Sequence, residues 1–460
     1  MPLALAAAAV VSLTAGCTGG VEGTPGSAGL RDPYFPKAGN GGYDVTHYDL
    51  TMDVDPASQR IRSTAVITAR ATQDLSAFNL DLAGLTVGSA QVEGRPAAVN
   101  RAGRELTLRP DAEVESHLNK GRTFRTVVHY SGSPLTLTDP DGSKEGWLRT
   151  ADGSVALGEP VGSMAWFPGN NHPSDKASYD LTVTVPRGLT AVSNGELMSR
   201  KVSGATATYH WHTAEPMASY LATLAIGRFD TKASTTPDGI KVFTAVDPAA
   251  AAASARTLAR IPEIVRWEAE RFGPYPFSAT GAIVDRPHDS GYAVETQNRP
   301  YFPGPPTVGL LVHEMSHQWF GDSVTPASWR DMWLNEGFAT YAEWLWEADK
   351  EGVPVQRNFD AAFASDDNWA FPPADPPTAA DISQAPVYGR GAMVIHKIRQ
   401  AVDDDRRFFA LVEGWTKAHR YGTASTADFT AYVEKTTGQN LTRLWNTWLY
   451  GHGRPAPEKS

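Results

Sequence analysis

From Tyr43 to about Asp230, apolar and polar residues alternate, as in His47-Tyr48-Asp49-Leu50-Thr51-Met52-Asp53-Val54 and Asp180-Leu181-Thr182-Val183-Thr184-Val185. A period of two marks strands with one buried face. The turn pairs Asp141-Gly142, Asp152-Gly153 and Asn194-Gly195 punctuate the runs. The segment therefore predicts an antiparallel β-sandwich or saddle. The pattern changes after Asp230. Ala249 to Phe272 contains no glycine and spaces its apolar residues as a helix does, and 308–320, 332–350, 390–402, 406–419 and 426–437 do the same. The expected class is α+β multidomain, with a β domain over 43–230 and a mainly α domain over 231–460. Phe371 to Pro377 is proline-rich and reads as a loop between helices, and no internal repeat is visible.

The first residues read as an address. Leu3 to Val11 is an apolar run of the length of a signal-peptide core, and no later run is long enough to span a membrane. Leu13-Thr14-Ala15-Gly16-Cys17 follows and resembles the lipobox of bacterial lipoproteins. That resemblance implies a signal peptide over 1–16, a lipid on Cys17 and a place on the outer face of the cell membrane, with plain secretion as the other reading. Residues 17–42 are rich in Gly, Pro, Ser and Thr and are expected to form a flexible tether.

Composition narrows the chemistry. The chain has 460 residues, with 41 Lys and Arg against 51 Asp and Glu, a net charge of −10. That balance argues against nucleic acid as a partner, since such binding neutralises phosphates. Cys17 is the single cysteine, so an intrachain disulfide and a cysteine-based metal site are both excluded. Any metal must be held by histidines and carboxylates.

One segment meets that requirement. In Val312-His313-Glu314-Met315-Ser316-His317, a helix puts His313 and His317 one turn apart on the same face. Two imidazoles so placed can bind one Zn²⁺, with Glu314 able to reach the attacking water without ligating the metal. Catalytic zinc needs a third protein ligand. Phe320 and Ser323 stand where a metzincin would have Gly and His. The next acidic helix, Trp333-Leu334-Asn335-Glu336-Gly337-Phe338-Ala339, offers Glu336, 19 residues beyond His317. The reading is one zinc per chain held by His313, His317 and Glu336.

With its 18-residue spacer, and with His317-Gln318-Trp319-Phe320-Gly321 and Trp333 to Ala339 around it, this block resembles the M1 aminopeptidases, the aminopeptidase N family of gluzincins. The resemblance runs over about residues 43–455. It implies a thermolysin-like catalytic domain after the β domain, and a short form without the long C-terminal helical domain of larger members. It implies substrates that are peptides with a free N-terminus. An exopeptidase must hold that ammonium, and carboxylates do so best. By resemblance the holders are Glu295, in Tyr292-Ala293-Val294-Glu295-Thr296, and Glu159, eight residues before Phe167-Pro168. Tyr292 and Thr296 depart from the family's Gly and Asn, which leaves the side-chain preference open. Tyr388, in Tyr388-Gly389-Arg390-Gly391-Ala392, takes the place of the family's oxyanion donor. Glu314 serves as general base and acid. Asp331 and Glu343 both lie within reach, in sequence, of orienting a ligand histidine. Rival readings are a zinc endopeptidase, a non-enzymatic peptide-binding protein on the same scaffold, and an added epoxide-hydrolase activity.

Overall fold

The computed structural model describes residues 22–111, 117–286 and 291–456. The predicted alternation becomes a large mixed sheet. Its strands run in the order Glu196–Ser203, Thr206–Ala218, Lys176–Pro186, Tyr43–Asp55, Arg60–Ala71, Thr123–Gly132, Thr86–Val92 and Arg95–Pro96. Neighbours pair antiparallel except Lys176–Pro186 with Tyr43–Asp55, which are parallel. In Tyr43–Asp55 the residues Tyr43, Val45, Tyr48, Leu50, Met52 and Val54 are buried. A register shift between Val45 and His47 moves the buried set from odd to even positions, so one face stays in the core along the whole strand. A four-stranded sheet and a five-stranded sheet complete the β-rich N-terminal domain. The five-stranded sheet carries the hairpin of Thr136–Thr138 and Lys144–Arg149.

From Asp230 the chain builds a further sheet from Asp230–Thr235, Lys241–Val246, Ala279–Val284 and Tyr301–Phe302. The helices follow. They are α1 (Pro248–Leu258), α2 (Ile261–Phe272), α3 (Val308–Ser316), α4 (Trp333–Lys350), α5 (Val355–Ala364), α6 (Gly391–Val402), α7 (Asp405–Ala418) and α8 (Thr426–Thr437). The helical stretch 249–272 is divided in two at Ala259 and Arg260, just before Pro262, whose ring is tolerated in a first helical turn. The α+β class, with its β-rich N-terminal half and helical catalytic half, stands.

The expected flexible tether is corrected for its described part. Glycine and proline richness suggested a coil, yet residues 22–42 follow a packed path. Thr24–Pro25 pairs with Leu75–Asp81, and Phe35, Ala38 and Asn40 are buried. The anchor is Asp32, whose carboxylate accepts from the amides of Tyr34 and Phe35 at 2.9 and 3.1 Å. It also accepts from the Ser328 hydroxyl and the Trp329 amide at 2.8 and 2.9 Å. Buried hydrogen bonds to a charge outweigh local flexibility. The signal peptide over 1–16 and the lipid site at Cys17 lie outside the described residues.

Candidate zinc and peptide site

Helix α3 starts at Thr307, whose side chain caps the Leu310 amide at 3.1 Å. It ends at Ser316 rather than running to 320. Gly321, with φ +125°, lies in the turn that follows it. That turn frees the Phe320 carbonyl from the helix ladder, and it accepts from His317 Nδ1 at 2.9 Å. His317 Nε2 is thereby left for a metal. The Phe320 ring stacks on Phe338 at 4.1 Å, which ties the end of α3 to α4.

Helix α4 brings Glu336 and Glu343 to the same histidine. They are seven residues apart, so they share a helix face. Glu343 Oε1 lies 2.7 Å from His313 Nδ1, and Glu336 Oε2 lies 3.1 Å from His313 Nε2 and 3.5 Å from His317 Nε2. Four ligands at zinc's bond lengths in a tetrahedron stand about 3.3 Å apart. The two His–Glu separations fit the edges of that figure. The donor set, two neutral-capable imidazoles and a carboxylate, is one that zinc takes in catalytic sites. The sequence left open whether Asp331 or Glu343 orients a histidine. Glu343 does so, while Asp331 accepts from the amide and hydroxyl of Thr426, 2.8 and 2.7 Å away.

All seven residues singled out from the sequence line one cavity of about 580 Å³. Glu295 follows Val294, whose amide and carbonyl exchange hydrogen bonds with Tyr301 at 3.0 and 2.8 Å. Arg299, wholly buried, holds the loop beyond it by donating to the carbonyls of Phe243, Ser193 and Gly195. Glu159 comes from the N-terminal domain. Its Oε1 and Glu295 Oε1 are buried and meet no N–H or hydroxyl donor. Burial pushes the Glu159 carboxyl well above its usual range, and the charges of Glu295 and Glu336 add to that. Burial likewise lifts Glu314 to about 8, opposed by His313 and His317. Burial, then Glu336, Glu159 and Glu295, raise Tyr388, whose hydroxyl stays protonated as a donor. The Tyr388 ring lies nearly parallel to His313, with centroids 6.2 Å apart.

Other residues of the site were not visible in the sequence. Phe35 and Trp329 line the cavity, held there by Asp32. Lys176, half-buried, crosses from the N-terminal domain to the carbonyls of Asp322 and Ser323, both at 2.9 Å. It braces the turn after His317. Glu343 had a usable signal in its seven-residue spacing from Glu336; the other contacts are long-range and had none.

Two family models match the chain: the peptidase family M1 domain over residues 305–448 and the peptidase M1 N-terminal domain over 150–221. Aminopeptidase M1 of Arabidopsis thaliana is 25% identical over 89% of this chain. Aminopeptidase N of Streptomyces lividans is 27% identical over 66% of it. The chain spans 50% of the first and 40% of the second. The M1 zinc metallopeptidase of Deinococcus radiodurans superposes with a TM-score of 0.86 at 28% identity, covering 94% of this chain and all of that one. A variant of that enzyme, solved with a Tyr-Ser-Ala substrate, matches with a TM-score of 0.87 at the same identity and the same coverage of both chains. The His313, His317 and Glu336 cluster, both domain models and the whole two-domain fold agree in making this chain similar to the M1 zinc metallopeptidases.

Proposed function

We propose that the chain is a zinc-dependent aminopeptidase that releases the first residue of peptides with a free amino terminus. The observation that carries this reading is the pair Glu159 and Glu295. Two carboxylates, each with one buried oxygen that meets no donor, share one cavity with the zinc ligands, without a lysine or arginine among the described lining residues. Uncompensated buried charge is costly, and an incoming α-ammonium supplies the missing partner. Anchoring the amine there presents the first peptide bond to His313, His317 and Glu336, the residues that would hold zinc. Zinc, when bound, supplies Lewis acidity at the scissile carbonyl and lowers the pKa of the attacking water. Glu314 takes the proton from that water and passes it to the leaving amine. Tyr388 donates its hydroxyl to the oxyanion as charge develops. The relatives named as aminopeptidases support the reading.

The test compares an alanyl chromogenic amide with its N-acetylated form, with and without a zinc chelator. Chelator-sensitive cleavage of the free amine alone is expected, because an acetylated terminus leaves both carboxylates unpaired. Equal cleavage of the two forms would establish an endopeptidase instead. Zinc binding with cleavage of neither would leave a peptide-binding role.

Export and lipid attachment at Cys17 are part of the same proposal and rest on the apolar run and the Thr14-Ala15-Gly16-Cys17 pattern. Metabolic labelling with a radioactive fatty acid tests it. Label that is lost in Cys17→Ser supports the anchor, and an unlabelled protein overturns it.

A further inference from the structure

Seven carboxylates line the cavity. Five have work in the reaction proposed above: Glu336 at zinc, Glu343 behind His313, Glu314 with the proton, and Glu159 and Glu295 at the amino group. Asp139 and Asp141 are left over. They sit on the hairpin turn that follows Thr136–Thr138, where the Gly142 amide donates to the Asp139 carbonyl at 2.9 Å. Asp141 also accepts from the Ser383 hydroxyl at 2.7 Å, which fastens the turn to the catalytic half. Behind the turn lies Glu145, with none of its surface exposed. Glu145 Oε2 accepts from the Val161 amide at 2.9 Å, while Oε1 meets no N–H or hydroxyl donor. Burial and then Asp139 raise the Glu145 carboxyl, and burial raises that of Asp139. The opposite wall is Tyr292, whose hydroxyl donates to the Lys144 carbonyl at 2.7 Å. Apart from burial, which dominates, that phenol feels Glu145, Asp139, Glu159 and Asp141 together. Tyr292 thus lines the same cavity as the acidic turn and the amino-group anchor.

We propose that Asp139 and Asp141, with the ring of Tyr292, form the pocket for the first side chain and select a basic one, an N-terminal arginine or lysine. This rests on the aminopeptidase reading. Two carboxylates set over a third that is fully buried gain most from a cation that enters with its own charge. Guanidinium matches two carboxylates with its planar fork, and the Tyr292 face adds a cation–π contact that a neutral side chain does not make. Tyr292 occupies the position where the family resemblance has glycine, so the aromatic wall departs from that motif.

The experiment uses the zinc-loaded protein and two pairs of coumarin amides matched in size: arginine against citrulline, and lysine against norleucine. The charged member of each pair is expected to have kcat/KM at least ~10-fold higher, the scale at which polar pockets discriminate. In Asp141→Asn and Asp139→Asn that ratio falls toward one. Asp141 is exposed on a turn, so its variant reports even where Asp139→Asn does not fold. A wild-type ratio near one in both pairs, with the neutral amides turned over, overturns this inference and leaves the aminopeptidase reading standing. An unchanged ratio in Asp141→Asn and folded Asp139→Asn also overturns it. If no free-amine substrate is cleaved, both fall together.

Discussion

Gly337 and Gly391 pack backbone against backbone where α4 meets α6. A Cβ on Gly337 would lie 2.8 Å from the Gly391 carbonyl carbon, and one on Gly391 would lie 3.0 Å from the Gly337 Cα. Glu336 adjoins the first glycine, and Tyr388 stands three residues before the second. Their contact therefore sets the distance between a zinc ligand and the hydroxyl donor. Gly337→Ala must push the helices apart, at a cost of about 1–3 kcal/mol. Urea denaturation should show that loss, and kcat should fall more than KM rises. Unaltered kcat in a destabilised variant would show that the contact serves packing alone.

Tyr388 is reached by burial and carboxylate neighbours that keep its proton in place. Tyr388→Phe removes the donor and keeps the ring against His313. The loss of one oxyanion donor is expected to cost ~10²–10³ in kcat with little change in KM. Steady-state kinetics on the alanyl amide decides it, and a change confined to KM would assign Tyr388 to substrate binding.

Glu343 acts on zinc through His313. Glu343→Gln preserves shape and removes the charge that fixes the imidazole's tautomer at 2.7 Å. Zinc affinity should fall roughly 10–100-fold. Competition with a chromophoric chelator measures it directly, without relying on turnover. Affinity equal to wild type would mean that the hydrogen bond alone, without the charge, holds His313.

Asp32 gives a pH-dependent prediction. Burial raises its pKa, but hydrogen bonds from His172, Tyr34, Trp329 and Phe35 outweigh that and hold it at about 2, below the ordinary 3.8. A depressed carboxyl stabilises the fold fully above its unfolded pKa and loses that contribution as pH falls through its folded one. Asp32→Ala is therefore expected to cost about 3 kcal/mol at neutral pH, where the donors lose a charged acceptor. The gap from wild type should narrow between pH 4 and 2. Parallel denaturation curves at a series of pH values test this, and a gap independent of pH would contradict it.

Much of this protein was legible in one dimension. The spacing of His313 and His317 is a property of any helix, so their shared face needed no fold to be known. The alternation in Tyr43–Asp55 and the period in Thr426–Thr437 likewise report each element's own geometry. Glu336, Glu295, Glu159 and Tyr388 were placed by motif, and the fold brings all of them to one cavity. The choice of Glu343 over Asp331 depended on the rotation of α4 against α3, which no local pattern encodes. The same holds for Asp32 and Phe35, which lie in a segment whose composition reads as coil and whose partners are some 300 residues away. Asp141 looked like a turn residue, and it is; only the packing of that hairpin against Tyr292 and Ser383 makes it and Asp139 part of the cavity. Local sequence determines what each short segment becomes, because its hydrogen bonds close within a few residues. Packing alone decides which segments meet, because burial is settled between surfaces distant in the chain.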